Sequence, residues 1–305
     1  MRTLGARAIV LLIVVTSGCG DVSLDSLLLD PSPTYRYVPT DLNYPYDELM
    51  LQTPSGGAVS AWHVHARGTS KGIVVIMPGA DANKGRLSIL LPIFVDKGWD
   101  VLLYDYPGYG ASPGPATLEG VLDGTRTALD YAFDQDDVVV GYGLSMGTCP
   151  LARLAVDYNF AACIFESTGN LREIGSDLVA FEKLPSPIGD AADLYISTNT
   201  PDDFDMKKWI QKVKSPKLFL HSLDDTFTSW DRAWEIFKLA PQPKHMMALQ
   251  GGHAQQIFVN PNMYRSLING WLDGALILDP IEQPDYQTLL DNELRVTLES
   301  FGLAP

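Results

Sequence analysis

Ser145, Asp225 and His253 are the residues whose types and surroundings could carry out nucleophilic chemistry. Ser145 lies in Gly141-Tyr142-Gly143-Leu144-Ser145-Met146-Gly147-Thr148, with a glycine two residues away on each side, directly after the apolar run Val138-Val139-Val140. A serine hydroxyl is a weak nucleophile until a base takes its proton. A sharp strand-to-helix turn would project that hydroxyl above a sheet, and the two glycines would spare the neighbouring strand and helix a collision. The turn would also leave the Met146 N–H free at a helix N-terminus, pointing at developing negative charge. A tight turn that happens to contain serine is the bland alternative, so the motif needs partners.

The partners are expected in chain order, acid and then histidine. Of the three histidines after Ser145, only His253 sits in a glycine loop, Gly251-Gly252-His253, directly after the last expected strand. His221 ends a strand and suits a packed or hydrogen-bonded role, and His245 begins a strand, at the wrong end of a sheet. Leu220-His221-Ser222-Leu223-Asp224-Asp225 closes the penultimate strand. Asp225 is the expected acid and Asp224 the alternative, because the base needs a carboxylate to fix its tautomer and stabilise the imidazolium. A second oxyanion donor is expected from Met77-Pro78-Gly79-Ala80-Asp81, through the Ala80 N–H. Asp105, in the turn-rich loop from Tyr104 to Ser112, reads as a brace.

These residues need a scaffold that brings strand ends together. Short apolar runs predict strands at Ala58–His65, Gly72–Met77, Val101–Tyr104, Val138–Gly143, Ala161–Glu166, Lys217–His221 and Met246–Gln250. Runs such as Gly72–Met77 are apolar on both faces, as in a buried parallel sheet. Helical patterns alternate with them at Leu87–Lys97, Leu118–Phe133, Met146–Asp157 and Ser229–Leu239, and the tail Tyr286–Leu303 has the spacing of a final docked helix. Alternation implies right-handed crossovers and an α/β class: a mostly parallel sheet with helices on both faces. Its crevice lies beyond the carboxyl ends of the strands, where the candidate residues fall.

The four motifs in this order, over roughly residues 58–272, resemble the α/β-hydrolase superfamily, in its lid-poor, esterase- and thioesterase-like branch. The resemblance implies a serine hydrolase acting on a small-molecule acyl substrate through Ser145, His253 and Asp225, with Ala80 and Met146 N–H as oxyanion hole and no cofactor. Two positions depart from the superfamily pattern: Pro78-Gly79 stands where His-Gly is usual, and Ser222 where glycine is usual. Residues 167–213, the one sizeable excursion between strands, would be a small lid insertion, with Phe181, Leu184, Pro185, Pro187, Ile188, Leu194 and Tyr195 suited to an acyl pocket or to packing. A peptidase or amidase of the same fold is the alternative activity, and a non-catalytic lipoprotein binding module the alternative class.

Bulk composition fits one domain. The chain has 305 residues, 46% of them hydrophobic, enough for a full core. Its 22 basic against 37 acidic side chains exclude nucleic acid as the main partner, since neutralising phosphates needs a basic surface. Arg2 and Arg7, the apolar run Ala8–Val15 and the small residues before Cys19 read as a secretory signal over residues 1–18, too short for a span of roughly 20 apolar residues. Ser17-Gly18-Cys19 resembles a lipobox, so Cys19 is the expected lipidation site and the protein is expected to be exported and lipid-anchored to a bacterial membrane. Without residues 1–18 the chain carries 20 basic and 37 acidic side chains, a formal charge of −17.

Prolines at 31, 33, 39 and 45 make residues 19–46 an expected tether, leaving 47–305 as the α/β-hydrolase domain. Cys149 and Cys163 lie in apolar segments and are expected as buried free thiols. His63 and His65 share one face of a strand, but two ligands are too few, so no metal is expected. The acidic clusters Asp134–Asp137 and Pro201–Asp205 lack the glycine and terminal glutamate of a calcium loop and read as solvated surface.

Overall fold

The structure, a computed structural model, describes residues 23–177, 186 and 188–277. The expected signal over 1–18, Cys19, the tail helix at 286–303 and the lid residues Phe181, Leu184, Pro185 and Pro187 lie outside the described residues.

Eight strands form one sheet in the order β1-β2-β4-β3-β5-β6-β7-β8. They are β1 (Tyr46–Gln52), β2 (Ala58–Val64), β3 (Ile73–Met77), β4 (Asp100–Tyr104), β5 (Val139–Leu144), β6 (Ala162–Glu166), β7 (Lys217–Ser222) and β8 (Lys244–Leu249). The strands from β3 onward run parallel, whereas β2 is antiparallel to both β1 and β4. The strand expectations from Ala58 onward hold to within a few residues. β1 was not expected: Asp47 and Glu48 interrupt its apolar pattern, and it is an edge strand with no fully buried residue.

Period-2 alternation divides the core into two layers. Ile73, Val75 and Met77 of β3 enter one cluster with Leu102, Tyr104, Leu118 and Leu129. Val74 and Ile76 point the other way, joining Leu91, Phe94, Ile268 and Leu272. The helix covering the first face, α2 (Leu118–Gln135), begins at Thr117, whose hydroxyl accepts the Gly120 N–H at 3.0 Å. On the second face the single helix expected at 87–97 is instead a broken series of short helical turns, with Leu91–Phe94 as one of them. Pro92 has no N–H to continue an α-helical ladder from the preceding turn, so it starts a new one.

The segment 23–46, expected as part of a tether that joins the globule, packs on it. Its helix α1 (Leu24–Leu28) is capped by the Ser23 hydroxyl, and Leu27, Leu28 and Leu29 are 4–5% exposed. Three successive leucines cost too much to leave in water, each contributing about 1.5–3 kcal/mol when buried. Asp25 Oδ1 accepts the Leu118 N–H at 2.8 Å, so the segment also caps α2. Prolines here shape a docked, irregular strap.

β6 ends at Glu166, buried behind the strand that carries Ser145. Its carboxylate accepts hydrogen bonds from the Tyr142 and Tyr264 hydroxyls. Burial pushes the Glu166 pKa up to about 7, against the Tyr264 hydrogen bond, which lowers it. Below the ordinary value of 4.5 both folded and unfolded chains hold the proton. Between 4.5 and about 7 only the folded chain keeps it, so this group's contribution to stability falls as pH rises through that window. Denaturant titrations should show wild-type stability declining relative to Glu166→Gln by ~3 kcal/mol from pH 4.5 to 7.5. Parallel pH profiles for the two proteins would contradict this reading.

Candidate active site

β5 runs into a 3-10 turn, Ser145–Gly147, and then α3 (Thr148–Leu154). Ser145 has φ 52°, a left-handed conformation rare for a residue with a side chain. Close backbone contacts hold it there. A Cβ on Gly143 would stand 2.7 Å from the Gly147 carbonyl oxygen, and one on Gly147 would overlap the Met77 carbonyl and approach that of Pro78 to 2.7 Å. The glycine spacing in the sequence thus has a steric cause on both sides.

The turn brings Ser145 to His253. Ser145 Oγ lies 2.8 Å from His253 Nε2, and His253 Nδ1 lies 2.8 Å from Asp225 Oδ2. The Asp225 side chain is fully buried and that of His253 is 22% exposed, so the line runs from the interior toward solvent. Asp225 Oδ1 accepts the N–H groups of Phe227 and Thr228, each at 2.9 Å, and Oδ2 accepts the Thr228 hydroxyl at 3.1 Å. Burial alone would raise the Asp225 pKa, but the hydrogen bond and charge of His253, with help from His221 and Phe227 N–H, outweigh it and hold it below the usual carboxylate range.

The neighbouring carboxylate has another job. Asp224 Oδ2 accepts the Gly251 N–H at 3.2 Å, at the start of the histidine loop. His221 is buried, with Nε2 2.8 Å from the Thr228 carbonyl, and burial lowers its pKa against the pull of Thr228 and Asp225. His245 is at the far end of β8, where its Nδ1 accepts the Trp271 indole N–H at 2.8 Å. Of the three histidines, the structure brings His253 alone to Ser145.

Gly79 packs against the turn: a Cβ there would be 3.4 Å from Ser145 Cβ. Three successive carbonyls of this loop are tied. Tyr106 donates to Pro78 O at 2.9 Å, Ala82 N–H to Gly79 O at 3.2 Å, and both Asp30 N–H (2.9 Å) and the Tyr109 hydroxyl (2.7 Å) to Ala80 O. A peptide N–H points opposite its carbonyl, so pinning Gly79 O fixes the aim of the Ala80 N–H. The Ala80 loop, whose carbonyls are tied in this way, thus packs through Gly79 against the turn that carries Ser145 and Met146.

Sequence reasoning missed the residues that hold these loops. The Ser167 hydroxyl accepts Ala254 N–H at 3.0 Å and Gln256 Nε2 at 2.9 Å, which anchors the loop just after His253. Thr228 could have been found from Asp225-x-x-Thr228, the spacing of an Asx turn. Lys84 gave no signal, since lysine reads as surface. It is fully buried, with its ammonium on Ser60 Oγ, 3.4 Å from Asp105 Oδ2 and over the Tyr35 and Trp62 rings. Asp105, the expected brace, also accepts Lys84 N–H at 2.8 Å and the Tyr35 hydroxyl at 2.6 Å. Asn83 Nδ2 donates to Ser32 O at 3.0 Å and Thr34 O at 2.9 Å, so the strap and the Ala80 loop are one unit.

Cys149 and Cys163 are buried free thiols, each pushed up to about 12 by burial. Of the expected lid, α4 (Ile188–Asn199) and α5 (Met206–Ile210) are described; Leu194 is 67% exposed, and Phe204, Met206 and Ile210 are buried.

The YqkD protein of Bacillus subtilis is 26% identical over 242 residues, which span 74% of this chain and 78% of that one. The human alpha/beta hydrolase domain-containing protein 17B is 26% identical over 217 residues, 67% of this chain and 68% of that one. Among solved structures, an esterase of Pyrococcus furiosus superposes with a TM-score of 0.68 at 18% identity, covering 81% of this chain and 97% of that one. An esterase of Exiguobacterium antarcticum superposes at 0.57 with 14% identity, over 74% and 100% of the two chains. No family model matches the chain. The protein has the α/β-hydrolase fold.

The strap's hold on the site is measurable without any substrate. Tyr35→Phe removes a hydrogen bond to a buried carboxylate and should cost about 1–3 kcal/mol of unfolding free energy in urea. An unchanged midpoint would mean that this hydrogen bond adds nothing to the hold already supplied by the leucines and by the Asn83, Asp25 and Asp30 contacts.

Proposed function

We propose that this protein is a serine hydrolase that cleaves carboxylic ester or thioester bonds of small acyl substrates through an acyl-enzyme. The observation that carries the proposal is the unbroken hydrogen-bonded line from Ser145 Oγ through His253 to the buried Asp225 carboxylate. Ser145 attacks the carbonyl carbon as His253 Nε2 takes the hydroxyl proton. The oxyanion accepts hydrogen bonds from Ala80 and Met146 N–H, and the leaving alcohol or thiol receives the proton from His253. Water, activated by the same imidazole, then releases the acid. Asp225 stays ionised throughout and stabilises the imidazolium. The esterase structures that superpose on this chain favour an ester-type carbonyl within this chemistry.

The proposal includes export and lipid attachment at Cys19, supported by the leader sequence. The docked strap begins at Ser23, so a lipidated Cys19 would hold the globule within about 14 Å of the bilayer rather than on a long stalk. Detergent-phase partitioning of the wild type, lost in Cys19→Ser, would support the anchor. A soluble wild type with no added acyl mass would remove it.

Kinetics on p-nitrophenyl esters of graded chain length test the chemistry. Ser145→Ala should lower kcat on the order of 10⁶-fold with its circular dichroism unchanged. Ordinary turnover in that variant would end the proposal. Asp225→Asn should cost about 10⁴-fold in kcat, through the wrong imidazole tautomer. Asp224→Asn, which loosens only the Gly251 tie, should cost far less; the reverse order would move the acid by one residue.

A further inference from the structure

The antiparallel corner of the sheet gathers a second set of chemically active side chains, at the end opposite Ser145. Register sets Asp47 of β1 directly across from His63 of β2, and Leu102 of β4 across from His63 on its other side. Opposed residues share a face, as do residues two apart on one strand. Asp47, His63, His65 and Asp100 are therefore all on the face covered by α2, two imidazoles and two carboxylates from three adjacent strands.

Their polar atoms converge. One ligand atom from each of His63, His65 and Asp100 lies within 4.8 Å of the others. His63 Nε2 is 3.0 Å from Asp100 Oδ2, and His65 Nε2 is 3.0 Å from Asp47 Oδ2. Nitrogen and oxygen ligands at about 2.0–2.2 Å around a tetrahedral zinc ion stand ~3.3 Å from one another. The two His–Asp separations already approach that spacing. His65, with 42% of its side chain exposed, is free to turn the remaining distance.

The atoms that would not face an ion are held elsewhere. His63 Nδ1 is 2.9 Å from the Tyr131 hydroxyl of α2, and Asp100 Oδ1 accepts the Ala66 N–H at 2.8 Å. Such outer contacts set ligand orientation in metal sites. Imidazole binds a metal ion in its neutral form and a carboxylate in its ionised form, so two of each would offer a charge of −2 to a divalent cation of borderline softness.

We propose that His63, His65 and Asp100, with Asp47 closing the set, form a zinc-binding site that ties β1, β2 and β4 together at the antiparallel edge of the sheet. It takes no part in the chemistry at Ser145. The competing account is two separate His–Asp pairs that bind no cation, and the two differ in what they retain.

The test uses tag-free protein stripped with EDTA, titrated with Zn²⁺ against a competing chelator, with metal analysis after gel filtration. Wild type and Ser145→Ala should each hold one zinc per chain. Zinc should raise the melting temperature of the wild type. His65→Gln and Asp100→Asn should each weaken binding more than ~10-fold and lose the thermal shift. His65 is half-exposed, so its substitution leaves the fold intact even if Asp100→Asn does not. A wild type that retains no zinc, or a folded variant that binds within tenfold of it, overturns the assignment.

Discussion

The close approach of the Ser145 turn to the end of β3 is the constraint on which the site depends. A side-chain-bearing residue in the left-handed region costs of order 1–3 kcal/mol, and Ser145 sits there at φ 52°. That conformation persists because β5 is locked between β3 and β6 at the middle of the sheet. Gly147 can then lie against the Met77 and Pro78 carbonyls, and Gly143 against Gly147, with no atoms to spare. From that turn the Ser145 hydroxyl meets His253 Nε2 at 2.8 Å. The loops after β3, β7 and β8 supply what meets it there.

Each of those loops is held by hydrogen bonds beyond the Ser145–His253–Asp225 line. The Ala80 loop has its carbonyls tied by Tyr106, Tyr109 and the strap, and rests on a buried Lys84–Asp105 pair. Burial lowers the Lys84 pKa even with Asp105 opposing it, so the pair is expensive to bury and intolerant of losing one partner. The Asp225 loop closes on itself through Phe227 and Thr228, while Ser167 and Asp224 hold the histidine loop on either side of His253. Under the proposed chemistry, donors held this firmly would need no rearrangement as charge develops.

Much of this was legible in the sequence because it is encoded locally. Glycines two residues either side of a serine after an apolar strand, and a histidine in a glycine loop after the last strand, mark by short-range sterics where those side chains fall. Asp225 was expected over Asp224 with no local signal to separate them, since adjacent carboxylates differ only in which way the turn through Thr228 faces them. The strap was hidden by its prolines: irregular backbone reads as linker until a surface exists for Leu27, Leu28 and Leu29 to bury against. Lys84 was hidden by its type, and β1 by the charges of an edge strand. His63 and Asp100 are 37 residues apart, and only the antiparallel register of β2 on β4 makes them neighbours.

The central claim, that the turn makes Ser145 a nucleophile, is tested most directly by covalent trapping. Protein treated with a fluorophosphonate, digested and examined by mass spectrometry should carry one phosphonyl adduct per chain, on the peptide containing Ser145. The same adduct should be absent from Ser145→Ala and slowed severely in His253→Ala. No adduct on the folded wild type, or an adduct on another serine, would contradict the account.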